Sequence, residues 1–457
     1  MRFRANWTTR FGFYFAAIGS AFGLGNLWRF PNVLAENGGG AFVLLYIFLA
    51  FLIGVPVIIA ELILGKSTQQ SILGALRTTL ASENNQKIKQ MWLGIGKLAV
   101  FTSLLVLSYY AVISGWVLHF FVRSLFGLTD PEGFQAAETL ATLKKSGGLQ
   151  IALAGVHILL TVVIVIKGVQ NGIEKWVGYL MSIFSILLIS LIGKSLSLPA
   201  SGEALRFLFY PDFSKLTINS LGQALGHVLF TLSIGFGVMV TFGSYMRHDV
   251  YLPEAGLRVA ALDTGISLLS GLLIVPILLS ASAQMGGADV LFQSLPRLFA
   301  TVKGGNLFGT AFFLCLYLSS LGASIGLLEV IVSNLGDRWG MSRSKAGWLI
   351  GGVIFFAAIL PALSSSTLSQ LRIGGMGLLQ ILDAVLINWI LPVVALGLCL
   401  FVAHRVPIQV KEKEFQLSRK FDYKELFGNW LWIIRWLGPV VIVTAIGLQV
   451  IGLFVKS

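Results

Sequence analysis

Runs of apolar residues about as long as a bilayer core is thick follow one another along almost the whole chain. A helix needs about 20 mostly apolar residues to cross that core. Eleven such runs fall at approximately 10 to 33, 41 to 65, 91 to 122, 149 to 167, 174 to 194, 219 to 246, 257 to 283, 306 to 334, 346 to 363, 376 to 403 and 430 to 454. In hydrocarbon every backbone N–H and C=O must be satisfied within the protein, which favours helices for runs of this length. The expectation is an all-α polytopic membrane protein with 11 transmembrane helices, residues 1–457 forming a single integral membrane domain. Composition agrees: 12% of the residues are charged, against about 25% in soluble chains. No stretch between the runs is long enough to bury a core of its own. A secreted enzyme, a disordered scaffold and a single-anchor receptor are excluded.

The formal charge of +13 is distributed by side. Loops on the N-terminal side of the runs hold more than twice the Lys and Arg of the opposite loops. By the positive-inside rule the N-terminus is cytoplasmic, and an odd number of spans puts the C-terminus outside, in a multi-pass cell (inner) membrane protein. The basic excess is a topology signal, so no nucleic acid partner is expected. Cys315 and Cys399 lie in apolar runs and imply no disulfide framework. The N-terminus lacks a cleavable signal. The mixed-charge segment Lys411 to Glu425 reads as a solvated cytoplasmic connector.

Two runs are interrupted. The first contains Gly19, Gly23 and Gly25, and the sixth contains Gly235 and Gly237. Glycine costs about 1 kcal/mol relative to Ala inside a helix, so paired glycines make an unwound stretch plausible, although membrane helices also use glycine for close packing. The interrupted runs lead two sets of five. Matched breaks in two halves point to a 5+5 inverted repeat with broken helices 1 and 6, as in secondary transporters. The repeats would be 7–195 and 219–404, with an extra helix at 430–454.

Glu61, Asp263, Glu329 and Asp383 lie well inside the runs, with Arg29 in the outer part of the first. Charges at membrane depth are expensive and mark functional positions or pair with one another. Glu61 is expected to hold exposed N–H groups of a broken helix. Arg29 and Asp383 suit an outer gate pair, and Asp263 suits a hard cation such as Na+. His119, His157 and His227 read as packed histidines. No nucleophile or metal constellation suggests an enzyme, since Glu329 stands alone and no His-rich cluster exists.

The segment Gly23 to Pro31, Gly-Leu-Gly-Asn-Leu-Trp-Arg-Phe-Pro, followed by Glu-Asn-Gly-Gly-Gly-Ala-Phe at 36–42, resembles the first-helix signature of the neurotransmitter:sodium symporter family. The likeness continues through Pro56 to Glu61, Tyr109-Tyr110, Trp116, Gly172-Ile173-Glu174 and Phe230 to Gly237, and the eleven spans resemble the prokaryotic branch. The resemblance implies a symporter in the lipid bilayer that imports an amino acid with at least one Na+ by alternating access. The substrate carboxylate would meet the N–H groups of Leu24 and Gly25 and the Tyr110 hydroxyl. Its ammonium would face the Ala21, Phe230 and Thr231 carbonyls and the Ser233 hydroxyl, with Ser20 and Ala323 beside them. Gly23, an Asp in relatives that carry carboxylate-free amines, leaves the substrate's own carboxylate to complete the first sodium site. Val106, Phe230, Phe236 and Leu327 would make an apolar side-chain pocket, favouring a hydrophobic amino acid.

The same resemblance implies a first sodium site at Ala21, Asn26, Thr231 and Asp263, where many relatives have Asn; the fixed carboxylate makes chloride unnecessary. A second site would use the carbonyls of Gly19, Phe22 and Ser319. The two hydroxyl ligands usual in the family are missing at Gly322 and Ala323. Arg29 and Asp383 would close the outer vestibule, and Arg4, Trp7, Ser244, Tyr245 and Asp337 the inner one. The alternative is a non-transporting membrane sensor or regulator that retains the transporter fold, favoured by the depleted second site.

Overall fold

The computed structural model describes residues 5–127, 136–280, 290–301, 304–416 and 423–455. The helices in chain order begin with α1 (Arg10–Ala21), α2 (Phe30–Glu36), α3 (Gly40–Thr68), α4 (Ile72–Thr79), α5 (Gln86–Leu125) and α6 (Ala136–Lys145). They continue with α7 (Gly147–Ile166), α8 (Val169–Ser195), α9 (Ser201–Phe209), α10 (Ile218–Thr231), α11 (Val238–Gly243) and α12 (Leu252–Ser280). The last are α13 (Leu295–Thr301), α14 (Gly305–Trp339), α15 (Arg343–Leu363), α16 (Leu378–Arg405), α17 (Ile408–Gln416) and α18 (Tyr423–Ile451).

Among the described residues nine helices are long and apolar enough to cross a membrane: α3, α5, α7, α8, α12, α14, α15, α16 and α18. The other two expected spans are interrupted. The α1 helix starts at Thr9, whose hydroxyl accepts from the Gly12 N–H, and stops at Ala21 because Phe22 is extended. A wide turn, Gly25–Arg29, then leads into α2. Between α10 and α11 the chain passes Ser233, Gly235 and Gly237 at φ of 53°, 83° and 79°. Two of these three left-handed residues are glycines, which reach that region without steric cost.

The α14 helix is the centre of the molecule. Its most apolar window is 83% buried against 22% for α18, and it packs on α5, α8, α15, α7 and α1. Backbone contact fixes α11 on α3: a β-carbon at Gly65 would collide with the Val240 carbonyl, and one at Gly243 would sit 3.0 Å from the Leu62 carbonyl oxygen.

Two short elements lie between the expected spans, and one expectation needs correction. The all-α chain carries one short antiparallel hairpin, β1 (Arg372–Ile373) and β2 (Met376–Gly377), turned by Gly374 and Gly375 at positive φ. The segment between the fifth and sixth runs contains α9. The supposed solvated connector is docked in its described part. Lys411 Nζ caps α16 by donating to the carbonyls of Val402 (3.2 Å) and Ala403 (2.8 Å). Glu414 accepts from Lys66 Nζ at 2.5 Å, and Lys66 also donates to the Val250 carbonyl at 2.7 Å. Phe415 packs on Phe427 and Trp430, whose indole N–H donates to the Pro56 carbonyl. Lys411, Glu414 and Phe415 share one helical face. That face is buried because each charge finds a partner at the end of a neighbouring helix.

Candidate functional site

Breaking two helices side by side frees backbone groups that must be paired inside the protein. Side chains pair them here. The Tyr110 hydroxyl accepts from the Leu24 N–H (2.8 Å), and Glu61 Oε1 accepts from the Gly235 N–H (2.8 Å). Ser103 donates to the Phe236 carbonyl (2.9 Å) and Ser233 to the Ser20 carbonyl (3.1 Å), which ties the two breaks together. Gly23 lies against the Tyr110 hydroxyl and 3.1 Å, at its missing β-carbon, from the Ala323 methyl. Any side chain there would fill the space beside Leu24.

Next to the breaks is a cluster of buried oxygens. Asn26 Nδ2 donates to Asp263 Oδ1 and to Ser267 Oγ, each at 2.9 Å. Tyr46 donates to Asp263 Oδ2 (3.3 Å) and shares a hydrogen with Ser267 (3.0 Å). Asn26 Oδ1 is buried with no hydrogen-bond partner among the described residues. An orphaned amide oxygen beside a carboxylate and the Thr231 hydroxyl is a donor set of hard oxygens, which fits Na+. His227 is fully buried, packed between Phe30 and Tyr46 at 5.2 Å from each, and neither ring nitrogen has a hydrogen-bond partner among the described residues.

A cavity of about 520 Å3 opens on one side of these breaks, lined among others by Leu24, Gly25, Arg29, Tyr109, Tyr110, Phe230 and Asp383. Val106, Thr231, Ser233, Phe236, Ala323 and Leu327 are buried outside its lining. Phe230 meets Phe236 edge-on at 6.1 Å. At the cavity wall Arg29 pairs with Asp383 at 3.2 Å and donates to Asn388 Oδ1 at 2.8 Å, while Tyr109 donates to Asp383 at 2.9 Å. Arg29 also lies 5.8 Å above the Phe230 ring.

At the opposite end of the breaks Trp7 is held on α11 and the turn after it. The Trp7 N–H donates to the Tyr245 carbonyl and its indole N–H to the Phe242 carbonyl, both at 3.0 Å. The Trp7 ring stands edge-on to Phe242 and Tyr245. Ser244 donates to its own helix at the Thr241 carbonyl, and Asp337 accepts from the Ser71 N–H at 2.7 Å. Arg4 lies outside the described residues.

Glu329 does not stand alone. It accepts from the Tyr245 hydroxyl at 2.5 Å and forms an ion pair with Arg343. The sequence held no local cue for this, since the arginine is on the next helix. Ser267 was also missed, although it follows Asp263 by four residues and so shares its helical face. Tyr46, on another span, gave no such signal. Lys144, Trp116 and Gln380 also line the cavity; Trp116 stood in the family likeness, while Lys144 and Gln380 were legible only once the helices were assembled.

A family model described as the sodium:neurotransmitter symporter family matches residues 4–130 and 133–455. The uncharacterized sodium-dependent transporter YhdH of Bacillus subtilis (strain 168) is 32% identical over 452 residues, 98% of each chain. The sodium-dependent nutrient amino acid transporter 1 of Drosophila mojavensis is 25% identical over 424 residues, 76% of this chain and 64% of its own length. The crystal structure of MhsT in complex with L-phenylalanine matches with a TM-score of 0.88 and 31% sequence identity, over 98% of this chain and 100% of that one.

Proposed function

The chain belongs to the sodium:neurotransmitter symporter family, a sodium-coupled transporter, and from that premise we propose that it imports a zwitterionic, hydrophobic amino acid with Na+ by alternating access. The observation that carries this reading is the buried Asn26 Oδ1, unpartnered beside Asp263 and next to the broken first helix. A cation bound there would sit where a substrate carboxylate, drawn by helix N-terminal N–H groups, could join its ligands. Ala21, Asn26, Thr231 and Asp263 are the proposed ligands. The Tyr110 hydroxyl and the Leu24 N–H, now bonded to each other, would both turn to the substrate carboxylate.

Gly23 supports an amino acid over an amine, because the chain supplies no carboxylate at that position. Phe230, Phe236, Val106 and Leu327 support an apolar side chain. Because Asp263 is a fixed anion, transport is independent of chloride. Arg29 and Asp383 act as the outer gate; Trp7, Ser244, Tyr245 and Asp337, with Arg4, hold the inner end. An N-terminus in the cytoplasm fits the loop charges.

The test is equilibrium binding of labelled L-leucine and L-phenylalanine to purified protein, with and without Na+. Binding of at least one of them that needs Na+, and that is lost for the decarboxylated amine, supports the reading. A biogenic amine that binds while both amino acids fail removes it.

A further inference from the structure

Building on the sodium-coupled reading, we infer that the second cation position implied by the family is closed in this chain, as a direct seam between α1 and α14 that holds no Na+. The residues there do not fit the ion. A β-carbon at Gly322 would lie 2.6 Å from the Gly19 carbonyl oxygen, and one at Gly326 would collide with the Ser20 hydroxyl. The two helices therefore approach closely at successive turns, through backbone at Gly19 and Gly322 and through the Ser20 side chain at Gly326, as small-residue faces do in membranes. A threonine at 322 could not stand at this spacing.

The Gly19 carbonyl, one of the expected ligands, is covered by Gly322 instead of facing a gap. The other side of Gly19 is filled from α8. A β-carbon at Gly19 would collide with Val177 and lie 3.6 Å from the Met181 sulfur, and the Met181 methyl is 3.4 Å from the corresponding point on Gly322. A methyl group and a thioether are soft, apolar neighbours, the reverse of what a hard cation needs.

Among the described residues, the α14 serines that flank the missing pair are bonded elsewhere. Ser319 donates to the Leu316 carbonyl and Ser320 to the Tyr317 carbonyl, each at 2.8 Å, so both turn back onto α14. Ser324 donates to the Ser320 carbonyl and meets His157 Nε2 at 2.8 Å. Phe22 packs its ring on Phe184. Ion coupling then rests on the Asp263 cluster alone, with at most one Na+ per substrate.

The test counts sodium directly. Binding of 22Na+ to the purified full-length protein is measured to saturation, in wild type and in Asp263→Asn, with and without L-leucine. Wild type saturates at one 22Na+ per chain, with a Hill coefficient of one, and Asp263→Asn weakens that single site at least about tenfold. Two 22Na+ per chain would overturn the seam. So would one per chain whose affinity is unchanged in Asp263→Asn, because that ion would be bound elsewhere. A wild type that binds no 22Na+ would agree with a closed second position and overturn the sodium-coupled reading instead, so the two failures are told apart.

Discussion

Asp263 is fully buried, and the side chains that hydrogen-bond it, Asn26, Tyr46 and Thr231, are neutral. A carboxylate removed from water without a counter-charge is costly, and the proposed Na+ at this position would offset that cost. Asp263→Asn keeps the shape and removes the charge, so the Na+ concentration for half-maximal substrate binding should rise at least about tenfold, roughly 1.4 kcal/mol. A titration of substrate binding against Na+ measures it. Tyr110→Phe tests the carboxylate subsite. A hydrogen bond to a charged group contributes about 1.5–3 kcal/mol, so substrate affinity should fall roughly ten- to a hundredfold. 22Na+ binding without substrate should be unchanged.

Among the elements, the two broken spans were legible because their glycines stand out against otherwise continuous apolar runs, and Glu61 because a buried carboxylate needs donors. What stayed hidden was pairing between distant segments. Nothing in the local pattern of α17 says that Lys66 and Val250 await it, so a run of alternating charges reads as solvated until its neighbours are assembled. The buried pair gives a prediction. Lys66→Met leaves Glu414 without its cation and should destabilise the protein by about 3–5 kcal/mol. Lys66→Met/Glu414→Leu should recover most of that loss. The midpoints of thermal unfolding of the two variants decide it.

The end proposed as the inner gate gives another prediction. Asp337 accepts from Ser71 on the short segment before α4, and Glu329 joins Tyr245 to Arg343. Asp337→Ala should shift the protein toward the inward-open state, and Glu329→Ala should do so as well by leaving Arg343 and Tyr245 without their shared acceptor. A cysteine at Ser244 would then react faster with a membrane-impermeant thiol reagent applied from the cytoplasmic side. An unchanged reaction rate in both variants would count against the gate assignment.

Across the chain, the long apolar helices, nine among the described residues, and the broken first and sixth runs belong to a fold that matches MhsT over nearly its full length. Hydropathy made the nine long helices readable, since length and charge alone mark a span. The small hairpin, α9 and the docked α17 were not, because short elements depend on what they pack against. The cavity opens on one side of the breaks and Trp7 packs against Phe242 and Tyr245 on the other, an arrangement that suits the proposed alternating access. An inward Na+ gradient is proposed to drive uptake of a hydrophobic amino acid, and uptake of labelled L-leucine and L-phenylalanine into proteoliposomes tests it directly. With the Na+ and proton gradients imposed separately, accumulation under the Na+ gradient that persists when chloride is replaced by gluconate is the predicted result. No accumulation of either amino acid under the Na+ gradient, or equal accumulation under a proton gradient without Na+, would contradict it.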